Sequence, residues 1–253
     1  MNKFLSHFTK LWDAVKDNTI FLLEFLGIVL GIILVAYVAE LLIRRKERKQ
    51  TGTAPAEKIL STRKIAVTGV LAALAGILML FEIPLPFVPS FYKLDFSEIP
   101  VLICGFAYGP VAGVLCEAVK IIIKLLLKGS STAFVGELAN FVVGCAFILP
   151  ATIIYHIKKS KKTALIGCIV GTIVLVLAGT SFNAIYLLPK FSELYGMPME
   201  TIIAMGTAVN KNVNSVTSLV IMCVAPLNLL KGFSVSLVTM LIYHPLRPIL
   251  KKG

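Results

Sequence analysis

Apolar residues run almost unbroken from Ile20 to Ile43, with Glu24 and Glu40 near the two ends. As helix, such a run is long enough to cross a hydrocarbon core of about 30 Å. Ahead of it, residues 1–18 place Phe4, Leu5, Phe8, Leu11, Trp12 and Val15 at helical spacing with lysines between them, the pattern of an amphipathic segment lying on a membrane surface. Behind it, Arg44, Arg45, Lys46, Arg48 and Lys49 open a stretch to residue 62 that lacks hydrophobic periodicity and reads as a basic linker. The run ends in charge rather than in a small-residue cleavage site, so residues 19–43 read as a retained membrane anchor rather than a signal peptide.

From residue 63 the pattern predicts six more helices, at 64–82, 97–107, 109–128, 134–157, 163–188 and 216–247. The second is short and joined tightly to the third by Gly105–Pro110, as in a hairpin or broken helix. Strict alternation puts the basic clusters at 44–49, 158–162 and 247–252 on one side, the cytoplasmic side by the positive-inside rule; Lys120, Lys124 and Lys128 depart from it. The expected fold is therefore an all-α integral membrane protein. A six-helix bundle over 63–253 is preceded by one additional N-terminal transmembrane helix, seven spans in all.

Composition narrows the function classes. Of 253 residues, 57% are hydrophobic and only 15% charged, too few charges for a soluble domain. The net charge of +12 sits beside the spans rather than in aromatic-interleaved basic stretches, which argues against nucleic-acid binding. Five cysteines lie singly inside apolar segments and three histidines lie far apart, so neither a disulfide framework nor a metal site is expected. The sequence contains no GxxxxGK[ST], GxSxG or HExxH motif, so no catalytic residues and no resident cofactor are assigned and ATP hydrolysis by this chain alone is not expected.

Polar residues inside apolar helices are costly unless paired or functional, which makes each a candidate. Glu137 and Asn140 share a helical face, as do Asn228 and Lys231, and Asn183 stands alone in an apolar stretch. Glu117 with Lys120 or Lys124 reads as an ion pair. The loop from Ile83 to Ser97, rich in proline, carries Phe87, Phe91, Tyr92 and Phe96, either interfacial anchors or the lining of a ligand pocket. Asp95 and Glu98 have capping-box spacing for the next helix. Small residues four apart at Gly69/Ala73 and Ala72/Gly76 mark a tightly packed face, used within the chain or as a docking surface for another membrane subunit.

At Leu94-Asp-Phe-Ser-Glu-Ile-Pro100, Gly109-Pro-Val-Ala-Gly113, Gly136-Glu-Leu-Ala-Asn-Phe141 and Pro226-Leu-Asn-Leu-Leu-Lys-Gly232, the sequence resembles the riboflavin-specific substrate-binding subunits of energy-coupling-factor (ECF) transporters. The resemblance covers roughly residues 63–250 and implies a multi-pass protein of the bacterial cell membrane. Such a protein captures riboflavin with high affinity at the outer face and docks on a transmembrane coupling subunit driven by two ATPase subunits. It maps the flavin contacts onto Asn183, Asn228 and Lys231, beneath the loop that carries Phe91, Tyr92 and Leu94. Glu137 and Asn140 join them as candidates, and Gly69, Ala72, Ala73 and Gly76 form the candidate docking face. Residues 1–62 lie outside the resemblance and are expected to be dispensable for binding. Competing readings are a subunit for another vitamin such as thiamine or biotin, an intramembrane enzyme using Glu117, Glu137 and Lys231, and a secondary transporter, for which no inverted repeat is visible.

Overall fold

The computed structural model describes residues 12–51 and 58–252, at 51, 244 and 246–252 by the backbone alone. The chain is almost wholly helical. α1 spans Thr19–Thr51 and α2 spans Thr62–Leu78, followed by a two-residue antiparallel ladder of β1 (Ile83–Pro84) and β2 (Lys93–Leu94). Then come α3 (Glu98–Tyr108), α4 (Pro110–Lys128), α5 (Val135–Ile157) and α6 (Lys161–Phe182). α7 (Leu188–Tyr195), α8 (Met199–Val209), α9 (Val216–Leu219) and α10 (Ala225–Lys252) complete the chain. Among the described residues, four stretches, Thr19–Gln50, Val135–Ile157, Lys161–Tyr195 and Val216–Tyr243, are long and apolar enough to cross a membrane. Leu23, Leu30, Leu34, Leu177 and Leu241 are exposed on them, as lipid-facing positions should be.

Three departures from the sequence reading have local causes. α1 continues through Arg44–Thr51, assigned above to a linker, because Arg, Lys, Glu and Gln are good helix formers and Glu40 pairs with Arg44 one turn on. The loop before α3 holds the small ladder, closed by Ile83 opposite Leu94. The long loop expected after residue 188 is instead the helices α7 and α8, since α6 passes into α7 through a π-helical turn at Asn183–Leu187. A second π turn at Val220–Val224 joins α9 to α10. Residues 1–11 of the amphipathic segment and 52–57 of the linker lie outside the described residues.

α3 and α4 form a hairpin about Gly109, whose φ of 105° suits glycine, with Pro110 opening α4. α5 packs along α6, and α6 along α10, while α2 lies on α3 and α4. α1 is not a detached anchor but packs on α4 and α5. Its buried stripe runs through Phe21, Phe25, Ala36 and Glu40. At the far end of the stripe the Glu40 carboxylate accepts the backbone N–H of Val111 (3.1 Å), satisfying a free donor at the start of α4 where the helix dipole favours negative charge.

Candidate functional site

At the end of the bundle opposite Gly109, α5, the π turn after α6, α7, α10 and the 83–97 loop enclose a cavity of about 750 Å³ including its mouth. Both π turns border it. An extra residue per turn breaks the regular ladder and re-aims side chains, and π turns recur at functional sites for that reason. Here the first turn supplies Asn183 and Leu187 and the second ends at Val224, all lining the cavity.

Asn228 and Lys231 line it from α10, Asn183 from the first π turn, Asn140 from α5, and Phe91 and Tyr92 from the loop. Six of the eight ligand candidates thus come together. Leu94 lies elsewhere, in the small ladder opposite Ile83 and buried in the apolar core. Glu137 borders a second cavity of about 1030 Å³ that shares Phe91, Lys93, Thr132, Gly136, Asn140 and Phe191 with the first. Its carboxylate is committed to neighbours: Lys124 pairs with one oxygen, and Ser130 (2.8 Å) and Thr132 (3.3 Å) donate to the other.

One wall is aromatic. Phe91 stacks on Phe191 (centroids 5.5 Å apart), which stacks on Tyr195 (4.6 Å), and Tyr92 lies beside Phe91 (4.6 Å). The Tyr92 hydroxyl donates to Asn183 Oδ1 (2.7 Å), and Asn183 Nδ2 donates to the Gly179 carbonyl (2.8 Å). Burial raises the Tyr92 phenol above its ordinary range, so it serves as a donor. Asn140 Nδ2 donates to Gly136 O (2.9 Å). Asn228 differs. Its Nδ2 is buried with no hydrogen-bond partner among the described residues. It also stands so close to Gly179 that a Cβ there would come within 2.5 Å of it.

Beneath the aromatic wall lies a buried charge cluster. Lys231 Nζ is 2.8 Å from Glu98 Oε1 and 3.2 Å from Asp95 Oδ2, while Lys120 Nζ is 3.2 Å from Glu98 and 2.6 Å from Glu117. Burial pushes the Asp95 carboxyl up, but Lys231, Lys120 and the Ser97 hydrogen bonds outweigh it and hold it at about 2. The capping-box reading of Asp95 and Glu98 gives way to this pairing. Asp95 does accept the Ser97 N–H (2.9 Å), but Ser97 is the N-cap of α3 and makes no side-chain cap, because both acids turn inward to the lysines. At the rim, Glu82 bridges Lys93 (2.6 Å) and Lys128 (2.7 Å), which lower its pKa despite partial burial.

The docking candidates divide. Ala72 and Gly76 face inward, and a Cβ on Gly76 would come within 2.6 Å of Ile123 of α4, so that pair serves packing inside the chain. Gly69 and Ala73 face outward beside exposed Val70, Ile77 and Ile65. The sequence reading missed Phe191, Leu187, Leu188, Val224 and Leu227 as cavity lining. Nothing in their type distinguished them from core or lipid-facing residues.

The arrangement combines a flat aromatic wall, amide groups at one end and a lysine at the floor, which suits a planar ligand with a polar edge. Comparisons with known proteins agree with that chemistry. The model of the ECF transporter substrate-specific component matches residues 63–243. The chain is 30% identical to the riboflavin transporter FmnP of Bacillus subtilis over 75% of this chain and 94% of that protein. It is 33% identical to the riboflavin transporter RibU of Staphylococcus aureus over 75% of this chain and 93% of that protein. A solved structure of the S component of a bacterial ECF transporter superposes with a TM-score of 0.58 at 33% identity, covering 75% of this chain and 98% of the other.

Proposed function

Since the chain belongs to the substrate-specific components of ECF transporters, we propose that it is the riboflavin-binding subunit of an ATP-driven vitamin importer. It is not an enzyme. The observation that carries the ligand assignment is the buried, unpartnered Asn228 amide beside Lys231 in a cavity with a stacked aromatic wall. A buried donor without a partner costs about 1–3 kcal/mol, a penalty that a ligand acceptor removes on binding.

In the proposed complex the isoalloxazine lies against Phe91, Tyr92 and Phe191, and its alternating pyrimidine acceptors and donor meet Asn228 and Asn183. Asn183 is engaged by Tyr92 here, so flavin contact with its carbonyl requires sharing or displacing that hydroxyl. Lys231 can only donate and serves a flavin carbonyl or a ribityl hydroxyl. Asn140 lies within reach of the same cavity, and Glu137 supports its mouth through Lys124, Ser130 and Thr132.

The membrane arrangement that fits is six core helical spans plus α1, in the bacterial cell membrane, with the cavity outside and Gly109 inside. Docking on the coupling subunit, itself driven by two ATPases, uses the outward Gly69/Ala73 face of α2, which α1 leaves open by packing on α4 and α5.

The test is direct. Protein purified without added ligand should carry the yellow flavin absorbance or, once stripped, rebind riboflavin without nucleotide. No riboflavin binding together with saturable binding of thiamine or biotin would replace the ligand, and robust ATP hydrolysis by the pure chain would overturn the division of labour.

A further inference from the structure

α1 lies outside the stretch that the family model matches, yet one face of its first turns touches the backs of two cavity walls. Phe21, Glu24 and Phe25 share that face by helical spacing. Phe21 and Phe25 are buried in the same core cluster as Leu138, Phe141, Leu187 and Leu227. The Phe25 ring lies 6.4 Å from that of Phe141 on α5, the residue after Asn140. Glu24 reaches the other wall. Its Oε2 accepts the Tyr186 hydroxyl at 2.6 Å and lies 3.6 Å from Lys190 Nζ, which also sits over the Phe21 ring at 5.9 Å.

Tyr186 belongs to the π turn that presents Asn183 and Leu187 to the cavity, and Lys190 follows in α7 between Leu188 and Phe191. π-Helical geometry is rare and recurs at functional sites, and this turn is closed by the Leu188 N–H donating to the Asn183 carbonyl. On the outer side of this turn Tyr186 is tied by its hydroxyl to Glu24 and by ring stacking to Phe182 (5.2 Å, 11°). The opposite end of α1 is fixed separately, by Glu40 on the first turn of α4. Glu24 and Glu40 are sixteen residues apart, about 24 Å along a helix, so the core holds α1 near both faces of a bilayer.

We infer that α1 is a seventh helix of the binding unit, and that Glu24 is a positioning residue which, through Tyr186 and Lys190, fixes the π turn carrying Asn183. The inference rests on the cavity being the riboflavin site. It contradicts the expectation that residues 1–62 are dispensable. Glu24 touches no lining residue's cavity face, so its effect is on how long the walls stay closed around the ligand.

Riboflavin fluorescence followed by stopped flow on full-length protein tests this. Glu24→Ala and Tyr186→Phe should each speed riboflavin dissociation by about three- to tenfold, the effect of losing one partly exposed charged hydrogen bond. Glu24→Gln, whose amide oxygen still accepts from Tyr186, should restore most of the wild-type rate. The Glu24→Ala/Tyr186→Phe double variant should dissociate no faster than Glu24→Ala alone, since that variant already removes the one contact that Tyr186→Phe deletes. Leu23→Ala, on the lipid face of the same turn, should change nothing. Glu24 is partly exposed, with 42% of its side chain accessible, so these variants spare the core. Wild-type dissociation rates in both single variants, or fully additive effects in the double variant, would overturn the inference while leaving riboflavin binding in place. A wild-type protein that binds no riboflavin would overturn this inference and the function it rests on together.

Discussion

Lys231 is the position where ligand binding and folding are most tightly joined, and replacing it should separate them. Asp95, Glu98 and Glu117 face two ammonium groups, Lys120 and Lys231, all buried. Lys231→Met keeps the apolar stem and deletes the charge, which leaves Lys120 alone against three carboxyls. Removing one partner of a buried pair costs about 3–5 kcal/mol, because the other charges stay buried without compensation. Thermal unfolding in detergent should therefore occur at clearly lower temperature. Adding Asp95→Asn removes one acid with the base and returns the cluster to its original balance, and the Asn carbonyl still accepts from Ser97 as Asp95 does. Replacing a buried ion pair as a unit is often near neutral, so the double variant should regain most of the lost stability. Riboflavin affinity should not recover with it. A charged donor's hydrogen bond contributes about 1.5–3 kcal/mol, so both variants should bind about ten- to a hundredfold more weakly by fluorescence titration. A double variant that regains stability and binds riboflavin like the wild type would show that Lys231 only neutralises the cluster, and would remove it from the site.

Asn228→Leu should weaken riboflavin binding by about tenfold or more, yet leave the melting temperature of the empty protein unchanged or higher, because it removes a buried donor that has no partner among the described residues; a fall in stability at unchanged affinity would contradict the assignment. Ala73→Trp should block co-purification with the coupling subunit while sparing riboflavin binding, and unimpaired assembly would move the docking face elsewhere. The Asp95 carboxyl, held at about 2 in the fold and about 3.9 when unfolded, contributes stability that is complete above pH 4 and is lost as pH falls toward 2. The melting-temperature difference between wild type and Asp95→Asn should accordingly be constant from pH 5 to 8 and shrink below about pH 4, and a difference that grows on acidification would reverse this reasoning.

How much of this was legible in advance differs from element to element. Helix type and order from residue 63 to the end of α6 followed from apolar run lengths, and the family resemblance followed from four short motifs in order. The rarity of polar residues inside apolar helices drew attention to Asn183, Asn228 and Lys231 without any knowledge of what faces them. The Glu117–Lys120 ion pair followed from its spacing, but Asp95 and Glu98 were misread because a local rule, capping-box spacing, fitted both. Their real partners lie on α4 and α10, up to 136 residues away in sequence. Gly69/Ala73 and Ala72/Gly76 are alike as spacing, and only the direction in which α4 lies tells the outward pair from the inward one.

The sequence by itself determined that this is a helical membrane protein with a particular set of buried polar side chains, because lipid makes every apolar run and every intramembrane charge informative. Tertiary structure alone decided which of those charges neutralise one another, which amide is left without a partner, and that α1 belongs to the bundle. Those outcomes depend on which helix faces lie side by side. Hydrophobic runs report that a face is apolar, but lipid and a neighbouring helix present the same apolar environment, so the runs carry no record of which one a face meets.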